Sequence, residues 1–267
     1  MFNLIKADFY KINRSMIYKV LFLIAAISAV TTTLVSHFVG TGDMEMSSAG
    51  TAALLTDVVM LNLLGSVVAG QLICGDFENK LIQSAVAGCS SRGTLVCAKM
   101  ITYTLLIGLI TLPYALCAVV GYATGAAFGA PYSASVYLNI LFETNTVDFS
   151  VGMLFKYIAI TAIMALAYTA QTSFVFFLAF VLKNKALIVT AAGFLTCTLI
   201  GMTSSLLSSS SETVEKVISY TPFSADAYNL NHASEIGTML KVIAVAVVFI
   251  AVFTGLSIAA FRKSEIK

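Results

Sequence analysis

Charge is what this chain has least of. Only 10% of its 267 residues are Asp, Glu, Lys or Arg, while 59% are hydrophobic and the mean hydropathy is +0.94. Soluble domains carry about 25% charged residues, so the composition excludes an ordinary soluble fold. The net charge of +2 comes from scattered cations rather than a basic stripe, which removes nucleic acid as a partner. Catalytic signatures are missing as well. There is no Gly-x-x-x-x-Gly-Lys-Ser/Thr phosphate cradle and no His-Glu-x-x-His. The two histidines, His37 and His232, fall at an outer span end and in an outer loop. An intramembrane hydrolase needs a nucleophile, base or metal pair at membrane depth, and none is offered. The five cysteines are Cys74, Cys89, Cys97, Cys117 and Cys197; none lies in an outer loop and none is spaced for zinc, so reduced thiols are expected. No metal or cofactor is expected on this chain.

What is abundant is long apolar runs. Six stretches have the roughly 20 apolar residues that a membrane-crossing helix needs: Lys19–Val39, Ala52–Ile73, Met100–Gly121, Met153–Leu182, Ala186–Leu207 and Met239–Phe261. The connecting segments alternate in charge. Twelve of the 15 Lys and Arg residues fall before or at the start of the first run, between the second and third, between the fourth and fifth, or after the sixth. By the positive-inside rule, both termini are cytoplasmic. The expected architecture is an all-α membrane protein. An interfacial helix over residues 1–18 precedes one six-helix domain over 19–267, with an inner loop at 74–99 and outer loops at 40–51, 122–152 and 208–238.

The opening segment places Ile5, Phe9, Ile12 and Met16 on one helical face, with Lys6, Lys11 and Arg14 largely elsewhere. Such a helix lies in the inner interface, either as a brace or as a simple topogenic anchor. The inner loop reads CGDFENKLIQSAVAGCSSRGTLVCAK. Asp76 can cap a helix whose first turn also holds Glu78 and Asn79. Phe77, Leu81 and Ala85 share a face that Ile82 extends, and Gly88 supplies a stop. A short helix tied to two spans is either a lever or a surface connector.

Charges inside the spans are few. Asp57 is the main intramembrane carboxylate, read either as a helix-start or water-facing group or as a relay. Lys99 and Lys156 sit at span ends and can snorkel. Uncharged polar residues, among them Asn62, Gln71, Tyr168, Gln171 and Thr196, line a route or make ordinary bonds between helices.

The run from Asp76 to Lys99, with its Asp-Phe-Glu-Asn start and Gly-x-Ser-Ser-Arg-Gly turn, resembles the permeases of type-2 ATP-binding-cassette (ABC) exporters. The opening Leu4-Ile5-Lys6-Ala7-Asp8-Phe9-Tyr10-Lys11 is similar to the small six-span permeases of that family in Gram-positive bacteria. The resemblance implies an N-terminal elbow helix and a coupling helix at about Asp76–Ala87. In that helix Asp76, Phe77, Glu78, Asn79, Lys80, Leu81, Ile82 and Ala85 would meet a soluble ATPase. It also implies short re-entrant helices at Ser211–Ser219 and Ala225–Ile236. The implied complex pairs two copies of the ATPase, which bind ATP and Mg2+, with this permease and a second copy or close relative in the bacterial cytoplasmic membrane. The implied cargo is an amphipathic or membrane-active peptide such as a toxin or lantibiotic. The competing readings are an exporter of lipid-like drugs and an ion-coupled carrier or channel.

Overall fold

The computed structural model describes residues 2–45, 55–87, 91–126, 128, 135–142, 151–183, 193, 218–231 and 233–263. Every regular element among them is a helix. The chain opens with α1 (Phe2–Arg14), followed by α2 (Met16–Thr41), α3 (Asp57–Glu78), α4 (Leu81–Ala87), α5 (Arg92–Ala123), α6 (Val136–Phe142), α7 (Val151–Leu182), α8 (Ala225–Tyr228) and α9 (Ile236–Lys263). Five of these, α2, α3, α5, α7 and α9, are long and apolar enough to cross a bilayer. The expected fifth span, Ala186–Leu207, lies outside the described residues, as does most of Ser211–Ser219.

Four of the five described spans outrun the apolar run that announced them, and the second is shifted along it. The third, expected from Met100, begins at Arg92, where Ser91 is extended and its side chain accepts the Thr94 amide at 3.1 Å. The second continues past Ile73 to Glu78 through a π-helical turn at Gly70–Cys74. Hydropathy sees only the lipid-facing part of a helix, so polar ends buried against neighbours were assigned to the loop. Residues 74–99 are therefore mostly helix, and the real connection runs from Asn79 to Ser91 with α4 inside it. The expected Ala225–Ile236 helix is likewise reduced to the single turn α8, because Leu230, Asn231 and Ala233–Glu235 lie outside helical geometry before α9 starts.

The α1–α2 junction is one residue wide. Ser15 is extended, and its amide returns to Lys11 and Ile12 carbonyls at 3.0 and 3.1 Å, which closes α1. At the far end of α2, Gly42 takes a left-handed φ of 83° and donates back to Phe38 and Val39, the usual glycine stop.

The helices close around a shared interior. The broadest contact is α7 against α9, followed by α2 against α5. At mid-depth Gly65 lets α3 approach α5 and α7: a Cβ there would sit 3.0 Å from Ile107 and 3.2 Å from Thr172. Tyr103 uses that approach to donate to the Gly65 carbonyl at 3.1 Å. Small residues at helix crossings do this in membranes, where lipid tails leave no hydrophobic drive for helix association. Pro113 is buried inside α5 and offers no amide to the carbonyl one turn back.

Candidate functional site

The residues singled out in the inner loop fall on two different helices. Asp76, Phe77 and Glu78 are the last turn of α3. Asn79 then leaves helical geometry, its side chain donating to the Gly75 carbonyl at 2.7 Å, and Lys80 takes a left-handed φ of 54°. Leu81, Ile82 and Ala85 belong to α4. The continuous helix expected over Asp76–Ala87 is thus a corner. Its sharp bend makes two populations of side chains: Glu78, Asn79, Lys80 and Leu81 are exposed, whereas Asp76 and Ile82 are buried and Phe77 and Ala85 half-buried.

Asp76 does not cap a helix. Its carboxylate accepts from Lys99 Nζ at 2.5 Å and from Lys11 Nζ through the other oxygen. Lys99 Nζ also reaches Asp8 Oδ1 at 2.6 Å. Two carboxylates and two ammoniums from α1, the end of α3 and the start of α5 therefore form one neutral cluster. The Lys99 side chain is 3% exposed, so it is a buried partner and not a snorkelling cation. Lys11, placed off the apolar face of α1, turns inward beside Ile12 and Asp8. A buried charge without a partner is costly, so this cluster fixes the relative placement of the three helices. Burial pushes the Asp8 carboxyl upward from its ordinary range, against the pull of Lys99. Its Oδ2 is buried with no hydrogen-bond partner among the described residues.

Beside the cluster, Phe77 packs edge-on against Phe180 of α7 (6.4 Å between centroids) and Phe261 of α9 (6.0 Å). Lys183 Nζ lies 5.8 Å from the Phe77 centroid. Phe176 and Tyr103 continue the aromatic stack upward at 5.4 Å spacings. Arg92 donates to the Phe261 and Arg262 carbonyls at 3.2 and 3.1 Å, a cation closing the C-terminal end of α9. The corner is thereby joined to α1, α5, α7 and α9 at once. It also brings Lys11, Arg92, Lys99, Lys183 and Arg262 to one end of the bundle, as the charge alternation requires.

The opposite end holds Asn62, Tyr168 and Gln171, polar residues weighed as a route lining, and the structure buries them within the bundle. Asn62 donates to Gln171 Oε1 at 2.9 Å, and Gln171 Nε2 donates to the Pro222 carbonyl and the Tyr228 hydroxyl, both at 2.8 Å. All these contacts are internal, and Asn62, Tyr168 and Gln171 are buried. The Tyr168 hydroxyl has no partner among the described residues. Gln71 lies away from them in the π-helical turn, and Thr196 is outside the described residues. Asp57 is fully buried, not water-facing. It accepts from Val58 and Val136 amides at 2.9 and 3.0 Å, from Tyr137 at 3.3 Å and from Ser135 Oγ at 3.1 Å. The carboxylate caps the start of α6 and holds it against α3.

Sequence reading missed Asp8, Lys11 and Lys99 as members of one cluster. The available signal was an acid and a lysine three apart on α1, both turned toward a helix otherwise meant to lie flat on the membrane. The family model for the "ABC-2 family transporter protein" matches residues 4–188 of the chain, a stretch that contains all four cluster residues and the whole corner. A search among curated proteins finds no match.

Proposed function

The chain belongs to the ABC-2 family of transporter proteins, as a multi-pass permease subunit served by a separate ATPase, and on that premise we propose that it exports an amphipathic, membrane-active peptide. The observation that carries the coupling half of this reading is the corner at Asn79–Lys80. Glu78, Asn79, Lys80 and Leu81 form the face offered to the ATPase. Asp76, Phe77, Ile82 and Ala85 lie behind them and pass any push into α1, α5, α7 and α9 through the ion cluster and the aromatic stack. Two ATPase copies with ATP and Mg2+ would close together and press two such corners, one on this permease and one on a second copy or close relative.

The cargo assignment rests on what the interior offers. Among the described residues, Asn62 and Gln171 are buried and hydrogen-bonded to each other within the bundle, which favours cargo that enters sideways from the membrane. Asp57 is engaged by four donors as a structural cap, so it serves an ion-coupled carrier poorly. The test is transport in proteoliposomes with the ATPase present or omitted, using a fluorescent cationic amphipathic peptide. ATP-dependent peptide movement that needs both proteins is expected. Movement driven by an ion gradient with no ATPase would overturn the reading, as would a deletion strain with unchanged peptide release and peptide sensitivity.

A further inference from the structure

Against the ion cluster lies a half-open cavity of about 240 Å³, lined by α1, the end of α3, α4 and the start of α5. Asp8, Lys11, Asp76 and Lys99 form its polar side; Leu4, Leu81, Ala85 and Leu95 supply apolar wall. The bonding capacity left over inside it is specific. Asp76 has both oxygens engaged by lysines, and Lys99 is shared between two carboxylates. Asp8 is only 8% exposed, yet its Oδ2 accepts nothing among the described residues. Lys11 is 34% exposed along its side chain and has N–H groups beyond the one given to Asp76. The cavity thus keeps one buried acceptor and one open cationic donor.

The charge balance decides between ligands. Two carboxylates already face two ammoniums, so a bare cation or a bare anion would leave the buried cluster unbalanced. A zwitterion would not. Its positive end must donate a hydrogen bond to Oδ2, which a primary ammonium does and a trimethylammonium cannot. Its negative end must meet Lys11, which suits a phosphate. The apolar wall and the amphipathic α1 place the site where lipid headgroups lie. We propose that this cavity binds the phosphoethanolamine headgroup of a membrane lipid, with the ammonium on Asp8 and the phosphate on Lys11. The site is independent of the exported cargo, so it stands or falls separately from the peptide assignment. A lipid seated there joins the wall of α1 to that of α4 and adds a fourth partner to the base of the corner.

The chain contains no tryptophan, so Leu81→Trp at the cavity wall makes a sole reporter. That variant in phosphatidylglycerol vesicles is titrated with phosphatidylethanolamine carrying brominated acyl chains, or with brominated phosphatidylcholine. Half-maximal quenching is expected at about tenfold less phosphatidylethanolamine, the gain from one charged hydrogen bond. Asp8→Asn in the same background should erase the preference. Ala85→Phe, which fills the cavity without touching an ion pair, should erase it too and guards against a folding defect in Asp8→Asn. Equal quenching by the two lipids would overturn the proposal, and so would a preference that survives Ala85→Phe. Displacement of the brominated lipid by an equal concentration of free phosphoethanolamine would overturn a lipid as the occupant.

Discussion

Lys99 serves two carboxylates from a position almost closed to solvent, and the consequences can be argued from that single ammonium. Lys99→Met leaves Asp8 and Asp76 with Lys11 alone, stranding buried negative charge at a cost of about 3–5 kcal/mol. A fall in thermal midpoint is expected in detergent, with substantial recovery in the Lys99→Met/Asp8→Asn double variant; an unchanged midpoint in the single variant would refute the buried pairing. The pH dependence follows from Asp8. Burial raises its carboxyl in the folded protein, so the folded state holds a proton there at pH values where the unfolded chain has lost it. Stability should then fall as pH rises through that window and level off above it. Asp8→Asn should remove this slope when midpoints are compared from acid to neutral pH. None of this was readable locally. Lys99 and Asp8 are 91 positions apart, and a lysine next to an apolar run looks the same whether it snorkels or finds a buried partner.

At the scale of elements, the corner between α3 and α4 separates residues that a helical-wheel reading had grouped. Phe77 and Leu81 stand four apart, which on one continuous helix would give them a common face. The left-handed Lys80 between them breaks that relation. Phe77 turns toward Phe180 and Phe261, while Leu81 remains 45% exposed. Two substitutions should therefore fail differently. Phe77→Ala should lower stability by about 2 kcal/mol, since it removes edge-on aromatic packing from a half-buried site. Leu81→Ala should leave stability within about 0.5 kcal/mol yet weaken ATPase association roughly tenfold, the loss of one docked anchor. Thermal unfolding and a pull-down titration with the ATPase distinguish them; identical effects in both assays would contradict the division of roles. Gly65 gives a third test. Alanine there presses on Ile107, Thr172 and Tyr103 at 3.0–3.3 Å, so α3 must retreat, and a lower midpoint is expected. The spans themselves were plain from sequence because about 20 apolar residues have few other uses. Their true ends were not, because helix continues wherever buried partners satisfy it, whatever the hydropathy.

Across the whole molecule the two ends are held by different chemistry. Ion pairs and stacked aromatic rings bind the basic end, where the corner between α3 and α4 sits. The other end is joined mainly by neutral or capped polar groups: Asp57 on α6, Gln171 on the Pro222–Tyr228 segment, and Tyr114, whose hydroxyl donates to Ser28 at 2.7 Å; the ion pair of Lys241 with Asp226 there, at 2.7 Å, is part-exposed and contributes little. Transporters must open one end while the other stays shut, so the two closures must be separable in energy. Bonds between helices in a membrane contribute about 0.6 kcal/mol each, which makes this second closure the weaker of the two and the one suited to repeated opening. Gln171 links Asn62 of α3 to Pro222 and Tyr228. Gln171→Leu keeps the bulk of the side chain and deletes three bonds, about 2 kcal/mol in all. Hydrogen exchange should rise across residues 218–231 in that variant and stay unchanged around Asp8, Asp76 and Lys99. Faster exchange at both ends together would mean that a single cooperative unit closes the protein, and that the corner and the outer loop cannot move independently.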